Sequence, residues 1–197
     1  MARGGRWDLG LTQVWAGLWV APARYVTPEA LATRRITSVI WATPEVAPPS
    51  MPGSVNLLEI RLRDECDQDL SPFFPKVAEE FAECRARGSG MVTVCLAGIS
   101  RSSTLAIAAL VGQDDLPQMN LRYAYETVKS ARPMIRPNIG FFSQLVSYER
   151  ATRRGEPSVR MVRPPHDPPG RLVPDVYLEE LGTQLGGDNP LATFIPL

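Results

Sequence analysis

Apolar and polar positions alternate along the chain in blocks that predict strands separated by helices. Runs rich in β-branched and aromatic residues predict strands or a hairpin over 11–20, 36–42, 55–62 and 91–94. Apolar residues spaced three and four apart, or a Pro at the first turn, predict helices over 28–34, 70–87, 102–111, 121–128 and 141–148. This alternation predicts an α/β fold with a central, mostly parallel sheet of about five strands flanked by helices.

Proline-rich stretches interrupt this pattern at two places. The stretch 43–53 carries four prolines and is predicted to be a loop. Beyond about residue 152 the composition shifts to Pro, Arg and Gly. We therefore predict one folded domain over 11–152 and a tail over 153–197 that wraps the domain or is partly disordered.

Composition and charge exclude several classes of protein. The 197 residues are 44% hydrophobic, and 21 basic residues balance 21 acidic residues, so neither a nucleic-acid binder nor a membrane-surface binder is indicated. No apolar run is long enough to span a bilayer, and no apolar core of a signal peptide follows the N-terminus. We expect a cytoplasmic protein, whose location could extend to the nucleus.

The cysteines and the histidine bear on redox chemistry and metal binding. Cys66, Cys84 and Cys95 are too few, and odd in number, for a disulfide framework. The only histidine is His166, and no Cys or His pair has the spacing of metal ligands. No metal site and no cofactor are therefore expected. Cys84 lies on the apolar face of its predicted helix, whereas Cys66 is expected to be an inert loop cysteine, with a redox partnership to Cys95 as the alternative.

The stretch 94–102, Val-Cys-Leu-Ala-Gly-Ile-Ser-Arg-Ser, lies between a predicted strand and a predicted helix. A loop in that position can turn successive backbone N–H groups inward as an anion-binding nest, and the helix adds its positive N-terminal end. Both effects favour the thiolate of Cys95, which is the nucleophilic form. Arg101 follows six residues later, and its planar guanidinium can bind two phosphate oxygens. Ser102 can hydrogen-bond the sulfur and stabilise it as a leaving group.

The residues between the nucleophile and the arginine are expected to bind phosphate through their backbone. Gly98 permits the sharp turn, and three apolar side chains can pack outward. The predicted phosphate-binding residues are Leu96, Ala97, Gly98, Ile99, Ser100 and Arg101.

This cysteine, five residues, arginine and serine resemble the signature of protein tyrosine and dual-specificity phosphatases. The segment 130–141, Ser-Ala-Arg-Pro-Met-Ile-Arg-Pro-Asn-Ile-Gly-Phe, resembles the segment after the loop in small atypical dual-specificity phosphatases. Residues 161–162 and 173–177 resemble the tail of the subgroup close to mitogen-activated-kinase phosphatase 6. The resemblance covers roughly residues 11–178 and implies the compact phosphatase fold.

The resemblance implies the activity and its substrates. A protein phosphatase of this kind hydrolyses phosphotyrosine and phosphoserine or phosphothreonine through a phosphocysteine intermediate, without a cofactor. Its partners are phosphoproteins, and kinases of the mitogen-activated cascades are the substrates that the family suggests. Loop lysines would favour a phosphoinositide or an RNA 5′ end instead, but the loop contains none.

The resemblance also implies a general acid and a residue that braces the loop. The family places an Asp ahead of a Leu and a Phe pair, which matches Asp64. Asp67 and Asp69 lie nearby as alternatives, and any of the three could instead be a loop or capping carboxylate. Asn138 matches the bracing residue, and it could equally cap the helix that begins at Ile139.

The departure from the family pattern is Val94, where relatives usually have a histidine that supports the loop and the thiolate. Valine cannot form that hydrogen bond, so we expect weakened activity. The alternative is a weakly active or inactive pseudophosphatase that binds phosphoproteins without hydrolysing them. The presence of Cys95, Arg101 and Asp64 argues against that alternative.

Overall fold

A computed structural model gives the structure of the protein over residues 10–153, 155–164 and 172–184. Within these ranges the strands are β1 (Thr12–Trp15), β2 (Leu18–Pro22), β3 (Ile36–Trp41), β4 (Asn56–Glu59), β5 (Gly90–Cys95), β6 (Met161–Val162) and β7 (Val173–Pro174). The α-helices are α1 (Pro28–Thr33), α2 (Phe74–Ala86), α3 (Arg101–Val111), α4 (Leu121–Ala131), α5 (Ile139–Arg153) and α6 (Asp175–Gln184).

The main sheet has five strands in the order β1-β2-β5-β3-β4, so β5 lies at its centre. β1 pairs with β2 in an antiparallel hairpin, and the other three pairings are parallel. The predicted α/β class and the mostly parallel sheet of about five strands are confirmed. The remaining pair, β6 and β7, forms a separate antiparallel ribbon.

Several predicted elements differ from the observed ones at their ends, among them one helix and one strand near the candidate site. The sequence predicts that the helix begins at Leu70, but residues Ser71–Phe73 form a 3-10 turn and α2 begins at Phe74. Pro72 and Pro75 lie at these two starts, where their missing N–H groups are not needed for helical hydrogen bonds. The strand expected over 55–62 is shorter and spans only β4.

Apolar residues fill both faces of the sheet. The larger core lies between the sheet and α2, α3, α4 and α5, and the smaller core lies under α1 and the loop after β3. Every residue of α3 is buried, which confirms the predicted buried helix. Thr93 of β5 donates a hydrogen bond to the Ser102 carbonyl at 2.8 Å, so the central strand is tied to the start of this helix.

The tail contributes to the core through residues that the sequence pattern did not mark as helical. Val176 and Tyr177 of α6 are only 3% exposed, and Val159 is fully buried. The Tyr177 hydroxyl donates to the Pro137 carbonyl at 2.6 Å, and the Arg136 guanidinium lies 3.6 Å from the centre of the Tyr177 ring. Burial raises the pKa of Tyr177, which keeps its hydroxyl protonated as a donor.

The division of the chain at residue 152 remains a prediction. Residues 165–171 and 185–197 of the tail, including His166, lie outside the described residues. Among the helices that are described, none has the length and apolarity needed to cross a bilayer.

Val94 lies in the smaller core, on the face of β5 away from α3. Its side chain is fully buried, and its nearest register partners are Ala21 on β2 and Trp41 on β3. The indole N–H of Trp41 already donates to the Val46 carbonyl at 2.8 Å. All buried members of this cluster are apolar, so the position favours the valine that the chain carries.

We expect Val94→His to lower the free energy of unfolding by about 2 kcal/mol, because the imidazole would be buried among apolar neighbours without a polar partner. Urea denaturation of parent and variant measures the difference. Val46→His is the matched control, since Val46 is 42% exposed and should tolerate the change. A Val94→His variant as stable as the parent would show that the imidazole finds a partner near the loop.

Candidate active site

The candidate site forms where four chain segments meet at one edge of the sheet. The parallel strands β2, β3, β4 and β5 all point the same way, so their carboxyl ends lie together. Cys95 ends β5 opposite Pro22 of β2, and the Ala42 N–H bonds the Val94 carbonyl at 2.7 Å. The loops that follow these strands therefore converge on Cys95.

The sulfur of Cys95 lies at the base of the phosphate loop, defined here as residues 95–101. Only 1% of the Cys95 surface is exposed. The Gly98 N–H donates to Sγ at 3.2 Å, and the Ser102 Oγ lies in hydrogen-bond contact with Sγ at 3.1 Å. The structure thus brings Ser102 to the cysteine, as the sequence predicted, and the N-terminal end of α3 adjoins the sulfur.

Gly98 makes the tight closure of the loop possible. Its φ is +68°, and a Cβ there would lie 2.8 Å from the Arg132 guanidinium and 2.8 Å from the Pro22 nitrogen. Its carbonyl accepts a hydrogen bond from Arg132 Nε at 2.8 Å. The side chains of Leu96 and Ala97, by contrast, are exposed on the outer side of the loop.

Arg132 braces the loop from behind, and the sequence analysis assigned it no role. Its side chain is buried and also donates to the Thr12 hydroxyl at 2.7 Å and to the Gly10 carbonyl at 3.2 Å. The Arg136 N–H further bonds the Ile99 carbonyl at 3.0 Å. The segment 130–141 thus supports the phosphate loop. The sequence carries no sign of this role for Arg132, because no local pattern distinguishes a buried arginine from an exposed one.

Arg101 is buried at the mouth of the loop and is held from one side. Its Nη1 donates to Glu45 Oε2 at 2.8 Å and to the Leu62 carbonyl at 3.0 Å. Its Nε is buried and has no hydrogen-bond partner within the described ranges. Because an unpaired buried donor is costly, a phosphate oxygen bound there would be stabilising.

Glu45 is a second residue that the sequence analysis missed. It lies in the proline-rich loop after β3, 56 residues before Arg101 in the chain. The hydrogen bond from Arg101, supported by one from the Thr43 hydroxyl, lowers the pKa of Glu45 to about 2 against the opposing effect of burial. Glu45 is therefore ionised and pairs with the Arg101 cation. A carboxylate in a loop without regular spacing carries no local signal of this partnership.

Asp64 lies against the phosphate loop, where the sequence expected the general acid. Its Oδ1 accepts hydrogen bonds from the Ser100 hydroxyl at 2.7 Å and from the Asn138 side-chain amide at 2.8 Å. Both donors bind the same oxygen, and Oδ2 has no hydrogen bond within the described residues, so it can contact a leaving group or a water. The arrangement fits proton transfer, and the role itself remains a prediction.

Asn138 makes the contacts of both roles that the sequence left open, bracing the phosphate loop and capping a helix. Its backbone N–H donates to the Ser100 hydroxyl at 3.0 Å, which links it to the loop. Its Oδ1 accepts from the Phe141 N–H at 2.9 Å, which caps the start of α5. One residue thus fixes the helix and orients Asp64.

The neighbouring carboxylates and cysteines occupy other positions. Asp69 accepts hydrogen bonds from the Ser71 N–H and hydroxyl, at 3.0 and 2.6 Å, so it is a loop carboxylate that fixes the start of the 3-10 turn. Asp67 and Cys66 are exposed, whereas Cys84 is fully buried in the larger core. No group of three potential metal ligands occurs within the part of the chain that the structure describes.

Comparisons with known proteins agree with this geometry. The sequence profile of the family "Dual specificity phosphatase, catalytic domain" matches residues 18–151. The chain is 34% identical to mouse dual specificity protein phosphatase 14 over 172 residues, which covers 87% of this chain and 82% of that protein. It is 33% identical to human dual specificity protein phosphatase 21 over 151 residues, with coverages of 77% and 75%. The crystal structure of human DUSP28 is similar, with a TM-score of 0.66, 30% identity and coverages of 72% and 93%.

We expect Glu45→Gln to reduce kcat/KM for p-nitrophenyl phosphate about tenfold, because a charge-assisted hydrogen bond that positions Arg101 is weakened. The matched control is Glu59→Gln, which removes a carboxylate paired with the exposed Arg61. Unchanged kinetics in Glu45→Gln would show that the Leu62 carbonyl alone positions the arginine.

The same variant gives a prediction about pH. Since the pKa of Glu45 is lowered from 4.5 to about 2, its contribution to stability is complete above about pH 4.5 and is lost as the pH falls towards 2. The difference in Tm between parent and Glu45→Gln should therefore be constant from pH 8 to 5 and shrink below about 4.5. A difference that already shrinks between pH 7 and 5 would contradict the pairing with Arg101.

Asp64→Asn should lower kcat for phosphotyrosine by ~10²–10⁴-fold, because the amide preserves the contacts of Oδ1 but cannot deliver a proton. The loss should be much smaller for 2,4-dinitrophenyl phosphate, whose leaving group needs no proton. Asp67→Asn is the control and should be close to the parent on both substrates. If Asp67→Asn shows the leaving-group dependence instead, the general acid is Asp67.

Proposed function

The chain belongs to the dual specificity phosphatases, and on that premise we propose how its site hydrolyses phosphate monoesters. It is a protein phosphatase of dual specificity, which acts on phosphotyrosine and on phosphoserine or phosphothreonine in proteins. The proposal rests on one observation above all, the Cys95 sulfur held between the Gly98 N–H and the Ser102 hydroxyl.

In the first step the Cys95 thiolate attacks the phosphorus atom of the bound ester. A bond forms between sulfur and phosphorus, and the bond from phosphorus to the ester oxygen breaks. Asp64 gives its proton to the departing oxygen, which leaves as a neutral hydroxyl. Arg101 and the loop amides stabilise the charge on the phosphoryl oxygens, and the product is a phosphocysteine.

In the second step water hydrolyses that phosphocysteine. Asp64, now ionised, accepts a proton from the water as its oxygen attacks phosphorus, and the sulfur–phosphorus bond breaks. The electron pair returns to Cys95 as a thiolate. The Ser102 hydroxyl, 3.1 Å from the sulfur, donates a hydrogen bond that stabilises this leaving group.

The natural substrates that we propose are phosphoproteins of the mitogen-activated kinase cascades. The support is the resemblance of residues 161–162 and 173–177 to the tail of one phosphatase subgroup. We propose a location in the cytoplasm, with extension to the nucleus where those kinases act. Dephosphorylation of a doubly phosphorylated kinase, followed residue by residue with mass spectrometry, tests the substrate, and fluorescence imaging of the tagged chain tests the location.

The pseudophosphatase alternative depends on Val94 alone. The site retains Cys95, Arg101 and Asp64, each held by hydrogen bonds at the phosphate loop. The buried valine packs in the smaller core. No contact in the described residues favours binding without hydrolysis. Turnover of p-nitrophenyl phosphate by the parent separates the two functions directly.

We expect Cys95→Ser to abolish turnover while phosphate still binds, because a serine hydroxyl stays protonated near neutral pH and has no adjacent base. Acid quenching of the parent during turnover of a ³²P-labelled phosphopeptide should trap label on the protein, and Cys95→Ser should trap none. Ser102→Ala should trap more label than the parent, since its second step is slower. Label that survives in Cys95→Ser would place the nucleophile elsewhere.

A further inference from the structure

An open groove of about 410 Å³ lies beside the phosphate loop. Its walls include Val46 and Pro49 from the loop after β3, and Leu96 and Ala97 from the phosphate loop itself. Trp41 lines it from the buried end of β3. The mechanism described above uses none of these side chains, so their apolar character needs another explanation.

The groove is continuous with the catalytic centre on two sides. Leu96 and Ala97 directly follow the nucleophile in the chain, and Val46 directly follows Glu45, which holds Arg101. A phosphorylated side chain that reaches Cys95 therefore brings the neighbouring residues of its peptide beside this groove. The position suits a site that recognises the sequence around the phosphorylated residue.

Exposed apolar side chains are concentrated at this groove. Five large hydrophobic or aromatic residues are exposed in the described ranges, and two of them line the groove, Leu96 at 45% and Val46 at 42%. A third, Tyr25 at 38%, adjoins the lining residue Arg24 in the chain. Exposed apolar side chains gathered at the rim of a site are typical of a surface that contacts a partner. A loop built to bind an anion has no need of an exposed leucine.

The groove is also held in a fixed shape before any substrate binds. The Trp41 side chain is 1% exposed, and its indole N–H bonds the Val46 carbonyl at 2.8 Å, which ties one wall to the sheet. The opposite wall is part of the phosphate loop, which Arg132 braces through Gly98. A preformed apolar surface binds an apolar side chain without the cost of ordering the groove.

A single cation lies among the residues that line the groove. Arg24 stacks on the ring of Tyr25 at 4.8 Å and has no ion pair with any carboxylate in the described residues. An acidic residue of a peptide would be attracted there, and a basic one repelled. The rim thus complements a carboxylate that follows an apolar side chain.

We propose that this groove selects peptide substrates with an apolar residue next to the phosphorylated one, and that Arg24 favours an acidic residue beyond it. The proposal rests on the phosphatase function above and adds a substrate preference to it. Leucine and asparagine have similar size, so phosphotyrosine peptides that differ only by Leu or Asn beside the phosphotyrosine isolate the apolar contribution. Two peptide series, with the change before or after the phosphotyrosine, cover both directions of binding.

In one of the two series we expect kcat/KM to be about tenfold higher for the Leu peptide, the size of effect that an apolar pocket gives. Val46→Ser should reduce that preference to twofold or less, and Val46→Ile should retain it. Both variants keep the backbone carbonyl that binds Trp41, so turnover of p-nitrophenyl phosphate should be unchanged. Leu172→Ser, which alters an equally exposed residue outside the lining, is the matched control and should keep the full preference.

The contribution of Arg24 is measured in the preferred series. For two peptides that differ by Asp or Lys beyond the Leu, kcat/KM should be about fivefold higher for the Asp peptide at low salt. Arg24→Gln should remove most of that difference. An unchanged preference for the Asp peptide in Arg24→Gln would show that a cation other than Arg24 attracts the acidic residue.

Equal kcat/KM for Leu and Asn peptides in both series, or a full preference in Val46→Ser, would overturn the groove as a specificity site. Fluorescence polarisation with the Cys95→Ser variant measures peptide binding without chemistry and separates this inference from the phosphatase function. If the parent turns over no substrate but Cys95→Ser still binds the Leu peptide about tenfold more tightly, the proposed mechanism fails and the groove stands.

Discussion

The phosphate loop can close around the nucleophile only because one residue has no side chain. Gly98 takes a left-handed backbone conformation in a space where a Cβ would collide with Arg132 and with the backbone of Pro22. In that conformation its N–H reaches the Cys95 sulfur and its carbonyl reaches Arg132. The placement of the sulfur, the start of α3 and the position of Arg101 all depend on this single turn.

The buried guanidinium of Arg101 imposes the second constraint, because a cation removed from water needs compensation within the protein. Glu45 and the Leu62 carbonyl supply it from two loops that leave neighbouring strands. The site is consequently assembled from segments far apart in sequence, and the parallel sheet brings them to one edge. Because Nε of Arg101 has no partner among the described residues, a phosphate can add to the existing partners of the guanidinium and does not have to replace them.

The sequence predicted what depends on local periodicity or on a contiguous motif. The strands and most helices follow from spacing, and the loop from Cys95 to Ser102 is a motif whose chemistry is readable in the residues themselves. Glu45 and Arg132 escaped prediction because their partners lie far away in the chain, and nothing in their own neighbourhood distinguishes them from solvated side chains. Helix α6 was not predicted because the composition of the tail is typical of disorder. Its order comes from packing, through residues such as Tyr177 that are buried only against the folded domain.

The contacts of Tyr177 join α6 to the catalytic loop through a short segment. Tyr177 binds the Pro137 carbonyl, while the N–H groups of Arg136 and Asn138 bind Ile99 and the Ser100 hydroxyl. Opening α6 would therefore remove support from the loop, and opening the loop would expose partners of α6. We therefore expect α6 and the loop to open as one unit of local unfolding, so that their amide protons exchange with solvent together although about eighty residues separate them in the chain.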